Sequence, residues 1–152
     1  MPRSSLPTSL IPRGAKATPN QIQLRFNSDP ANVAPTREAV EQFCLAGGLD
    51  ATATGEVGLC VNEALANVIR HAYGGATDRP IELTAKWQNN ALLLSVRDWG
   101  SGVVPQPQPE EKHNPLKPGG LGLICLRKLM DEVTFAPQAD GMLLTMKKIR
   151  KQ

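Results

Sequence analysis

The stretch that most constrains how this chain can fold is an apolar helical run over residues 57–73. Within it Glu63, Asn67 and His71 recur every four residues, the spacing that stacks side chains on one face of an α-helix. Val57, Val61, Ala64, Leu65, Val68, Ile69 and Ala72 flank this polar stripe on both sides. Such a stripe needs partners, because an unpaired amide taken out of water costs roughly 2–7 kcal/mol and an unpaired charge costs more. It is either an ordinary surface or helix-to-loop hydrogen-bond network, or a metal and general-base face lining a pocket. The helix by itself leaves both readings open.

Enough of the chain is apolar, 41% of 152 residues, to build one domain around a real core. Aromatic residues are only 4%, so Leu, Val, Ile and Ala must supply that core. A net charge of +3, with basic residues not interleaved with aromatics, argues against direct nucleic-acid binding. Lys147, Lys148, Arg150 and Lys151 read as a solvated basic end, with 149–152 as a short tail. Cys44, Cys60 and Cys125 are far apart and lack CxxC or Cys/His ligand spacing, which argues against zinc and for a reducing compartment. No apolar run approaches the ~20 residues that span a bilayer, and the N-terminus lacks the apolar core of a secretory signal. The expected location is the cytoplasm, with no membrane contact.

Residues 1–19 carry Pro2, Pro7, Pro12 and Pro19 among polar and basic residues, and read as a flexible tail ahead of a domain over 20–148. Alternation over 21–26 predicts a half-buried strand. Ser28 and Asp29 precede Pro30 as capping residues for a first helix, which ends near Ala46 at Gly47-Gly48. Asp50 or Thr52 opens the second helix, which carries the stripe and stops at Gly74-Gly75. Strands over 81–87 and 91–98 form a hairpin through Asn89-Asn90, and the second is apolar enough to be central. A helix over 124–130 follows later. Two final strands, over 132–136 and 142–148, are joined through Asp140-Gly141, with Pro137 ending the first.

Two further stretches bear on the stripe. The central strand runs into Asp98-Trp99-Gly100-Ser101-Gly102, a carboxylate at a strand end followed by glycines that let a ligand approach the backbone. Alone, this D-x-G-x-G also fits a plain strand-ending turn. Residues 103–118 then form a polar loop broken by five prolines, of the length and character of a lid. The loop leads into Gly119-Gly120-Leu121-Gly122-Leu123, glycines placed to offer free N–H groups and the positive end of a helix dipole to phosphate. This is neither a P-loop nor a Rossmann turn, since no Lys-Ser/Thr follows and no first strand precedes it.

The order of these signals is more specific than any one of them. E-x3-N on a helix, a strand ending in D-x-G-x-G, a loop, G-G-L-G-L opening a helix, and a closing hairpin resemble the N, G1 and G2 boxes of the GHKL ATPase superfamily. The match covers about 21–148, and the short layout looks like the anti-sigma-factor serine kinases of the RsbW-like and SpoIIAB-like kind. The resemblance implies an α+β fold of the GHKL (Bergerat) type, a two-layer sandwich with a mixed, mostly antiparallel sheet and helices on one face. By position it implies that Asp98 accepts from the adenine amino group, that Gly100 and Gly102 let the base approach, and that Thr145 supports adenine. It implies Asn67 as the Mg2+ ligand, the backbone of Gly120, Leu121, Gly122 and Leu123 around the phosphates, 103–118 as the ATP lid, and Glu63 as general base. His71 is expected to face the phosphates or the lid, or to support the site through a hydrogen bond.

The function this implies is an ATP- and Mg2+-dependent serine/threonine kinase of bacterial partner switching. Such a kinase phosphorylates a STAS-domain anti-sigma antagonist and otherwise sequesters a sigma factor. The resemblance also implies a homodimer, with partners meeting the first helix, where Arg37 is a candidate contact. The chain departs from the sensor histidine kinases, gyrase and Hsp90 in having no phospho-accepting His motif, dimerising hairpin or added domain. Two alternatives stay open: a switch module that holds ATP without transferring phosphate, and a stand-alone ATP hydrolase.

Overall fold

A computed structural model of the chain describes residues 16–103 and 122–151. Alternating apolar and polar residues give β2 (Gln21–Asn27), which pairs on one side with a short strand β1 (Lys16–Thr18) and on the other with β3 (Pro80–Gln88). Then come β4 (Ala91–Asp98), β5 (Glu132–Gln138) and β6 (Gly141–Ile149), and the sheet order is β1-β2-β3-β4-β6-β5. Every pairing among the described residues is antiparallel, so the sheet has no parallel pair and is simpler than the mixed one expected. The strand β1 lies inside the proline-rich stretch read as tail. Pro137 does not end β5, which continues to Gln138. As an edge strand, β5 tolerates a residue without an N–H.

Three helices cover one face of this sheet: α1 (Val33–Ala46), α2 (Ala51–Asn67) and α3 (Gly122–Leu129). Asp29 caps a single 3-10 turn, Pro30–Asn32, ahead of α1, and Asp50 caps α2 by accepting from the Ala53 N–H at 2.7 Å. Leu24, Leu83, Val96, Leu144 and Phe135 stand side by side across β2, β3, β4, β6 and β5, on the face toward the helices. They pack with Val40, Phe43, Val61, Leu65 and Leu126 in one hydrophobic core.

The second helix does not run regularly to its end. After Asn67 it widens into a π-helical turn, Val68–Ala72, in which the Tyr73 N–H reaches back five residues to the Val68 carbonyl at 3.0 Å. The four-residue spacing expected for the stripe therefore holds from Glu63 to Asn67, while His71 sits on a wider turn.

Candidate nucleotide site

The site is assembled where the end of α2 meets the end of β4. Glu63 and Asn67 are half-buried on one face of α2, and His71 is exposed one turn on. Ion pairs among the described residues engage Glu38, Glu41, Glu56, Glu82 and Glu132, but not Glu63. The Asn67 side chain makes no capping hydrogen bond, although it stands at the junction of α2 and the π turn. The hydrogen-bond network that would make the stripe a structural feature is thus missing at these two residues among the described groups.

Asp98 closes β4 on the helix-facing side of the sheet and is 3% exposed. Its Oδ1 accepts from the Gly100 N–H at 2.8 Å. Burial pushes the carboxyl above its ordinary range, against the pull of the Gly100 N–H, the Arg97 guanidinium and the Met142 N–H. A buried carboxylate with remaining acceptor capacity suits a ligand that brings donors of its own.

Gly100 binds the two motifs together. A Cβ built there would lie 2.5 Å from the Ala72 carbonyl oxygen and 2.7 Å from the Ala72 Cβ, so only glycine lets the strand end touch the π turn. Tyr73 locks the same junction: its hydroxyl donates to the Pro80 carbonyl at 2.5 Å and accepts from the Trp99 N–H at 2.8 Å. Gly102 has φ +74°, a conformation that other residues rarely adopt. On the far side of the sheet Arg97 lies 4.6 Å from the Trp99 ring and pairs with Asp140 at 2.8 Å, tying the turn before β6 to the same corner. Neither Tyr73 nor Arg97 stood out in the sequence. Tyr73 follows the stripe directly, and an aromatic hydroxyl closing a polar motif was the available signal.

Thr145 does not join this corner. The residue opposite Asp98 on β6 is Met142, while Thr145 is opposite Ser95. Thr145 is three positions on from Met142, an odd step, so it points to the sheet face away from the helices and lies about 10 Å along the strand. The expectation that Thr145 supports a base beside Asp98 is corrected on this register. Arg37, expected as an exposed contact on the first helix, is half-buried and reaches Glu41 at 3.7 Å and Asn62 at 3.4 Å. Gly122 and Leu123 open α3. Gly120, Leu121, His113, the tail to residue 15 and the lid expected over 103–118, apart from Val103, lie outside the described residues.

This α+β sandwich, with a polar face on one helix beside a buried carboxylate at a strand end, is the architecture of an ATPase domain. The chain matches the family described as "Histidine kinase-like ATPase domain" over residues 26–148 and belongs to it. Its resemblance lies on the anti-sigma-factor kinase branch. It is 29% identical to the anti-sigma F factor of Geobacillus stearothermophilus, over 85% of this chain and 92% of that one. It is 25% identical to the serine-protein kinase RsbW of Listeria innocua, over 75% of this chain and 78% of that one. The crystal structure of the RsbU and RsbW domains of a Mycobacterium tuberculosis protein shares the fold, with a TM-score of 0.66 at 17% identity, over 87% of this chain and 33% of that longer one.

Proposed function

We propose that this protein is an ATP-dependent serine/threonine kinase of a bacterial partner-switching system, acting in the cytoplasm as a homodimer. It phosphorylates a STAS-domain anti-sigma antagonist and, when not so engaged, sequesters a sigma factor. The observation that carries the reading is the pairing of two half-buried groups on one helix face, Glu63 and Asn67, with the buried Asp98 that Gly100 brings against the end of the same helix. The anti-sigma and serine-kinase relatives support it.

Asp98 accepts from the exocyclic amino group of adenine and disfavours guanine, which presents an oxygen there. Gly100 and Gly102, packed against the backbone of Ala72 and Gly141, hold the strand end in place beside the base, and the N-terminal end of α3 offers N–H groups to the phosphates. No group of three or more His, Cys, Asp or Glu able to hold a metal occurs among the described residues. A single side-chain oxygen, that of Asn67, is a sufficient protein share for Mg2+, which takes few protein ligands and keeps several waters. Asn67 would hold it, and when bound the ion neutralises charge on the phosphates. Glu63, one helical turn before Asn67, takes the proton from the acceptor hydroxyl. The serine or threonine oxygen bonds to the γ-phosphorus as its bond to the bridging β–γ oxygen breaks, and ADP leaves.

The test uses purified protein with Mg2+, γ-labelled ATP and STAS-domain proteins from the same genome, beside Glu63→Gln. Label on a serine or threonine of one STAS protein, abolished in the variant while nucleotide still binds, is the expected result. A STAS protein that binds tightly in the presence of ATP and stays unlabelled would reduce the protein to a nucleotide-dependent switch. Absence of ATP binding would overturn the reading.

A further inference from the structure

At the C-terminal end of α3 one lysine ties the helix to both α2 and β6. Lys148 lies on β6 opposite Leu92, on the helix-facing side of the sheet, and its side chain is 13% exposed. Its ammonium donates to Glu56 Oε1 of α2 at 2.9 Å and to the carbonyl of Leu129, the last residue of α3. A cation there also complements the negative end of the helix dipole. Two more bonds hold the same corner: the Asp131 N–H donates to the Lys147 carbonyl at 2.8 Å, and the Ile149 N–H to Asp131 Oδ2 at 2.7 Å.

This clasp defines a register between α2 and α3, which pack against each other. Four residues forward from Glu56 in α2 stands Cys60, and four residues back from Leu129 in α3 stands Cys125. The two positions are close: after burial, the neighbouring Cys125 is the next cause that raises the Cys60 thiol above its ordinary range. Because the matched positions step forward in one helix and backward in the other, the pair is antiparallel. Seven residues from the clasp α2 reaches Glu63 and α3 reaches Gly122, each about 10 Å along its axis at ~1.5 Å per residue.

We propose that Lys148 is a positioning residue for nucleotide: by clamping Leu129 to Glu56 it sets the level at which the N-terminal end of α3 faces Glu63 and Asn67. The inference rests on the nucleotide reading above and assigns a remote residue to the phosphate end of that site. The base end is independent of the clasp, because Leu92 and Asp98 are at opposite ends of β4, about 20 Å apart at ~3.4 Å per residue.

The test compares ATP and adenosine binding by calorimetry in wild type, Lys148→Met and Lys148→Arg. Lys148→Met is expected to weaken ATP about tenfold, the worth of one hydrogen bond to a charged group, and to leave adenosine within about twofold. Lys148→Arg is expected to recover most of the ATP affinity, since it restores the cation. Equal loss of both ligands, or no loss of ATP affinity, would overturn the proposal. If wild type binds no ATP, the nucleotide reading fails and hydrogen exchange judges the clasp. Faster exchange in Lys148→Met confined to the amides of α3, with β3 and β4 unchanged, would support it, and uniform or absent change would overturn it.

Discussion

At the scale of single residues, Asp98 sets a cost in stability against the recognition proposed for it. An aspartate in the unfolded chain titrates near 3.9, and burial raises the folded value above that. The stability this group contributes is therefore full below the unfolded pKa and is lost as pH rises through the folded one. At neutral pH the buried carboxylate is a net cost. Asp98→Asn keeps an acceptor for the Gly100 N–H, so the variant is expected to resist urea at pH 7 at least as well as wild type. The same variant should bind ATP roughly 10–100-fold more weakly, because a hydrogen bond to a charged group is lost. In wild type, ATP affinity should fall on acidification at a pH above the usual aspartate range, as calorimetry across pH 4–7 would record.

The elements explain why some of this was legible in the sequence and some was not. The helix of the stripe, the hairpin around Asn89-Asn90 and the strand into Asp98 were readable because apolar periodicity and turn residues act locally. The π turn was not, because one extra residue in a helical turn leaves the composition of 68–72 unremarkable. The face of Thr145 was not readable either. It depends on how β6 aligns with β4, and a slip of one residue reverses every side chain on a strand. The strand β1 stayed hidden because three exposed residues carry no hydrophobic pattern. Where the elements meet, Gly100→Ala should cost about 1–3 kcal/mol in urea unfolding, since its methyl group would press on the backbone of Ala72. Leu65→Ala, in the buried face of α2, should cost about 2–5 kcal/mol by the same measurement.

Across the whole molecule, the thiols report how the fold opens. Burial pushes the Cys44 and Cys60 thiols up to about 12, while Cys125 is half-buried. At pH 8 a thiol reagent should reach Cys125 first, and Cys44 and Cys60 only at the rate of unfolding. The same shifts give an alkaline limit, because stability that is full below about pH 8.5, the unfolded thiol pKa, is lost as pH rises toward 12. Urea midpoints between pH 8 and 11 should fall accordingly. The outline of the sheet also governs how copies of this chain can meet. One border is three residues long, and the other carries Pro137, which has no N–H to offer a neighbouring strand. Among the described residues neither border invites a second sheet to continue it, which guards these edges against ribbon-like stacking. The dimer proposed above would then be expected to join through a broad surface, a helical layer or the bare side of the sheet, and to leave the described rows of backbone groups at its margins alone.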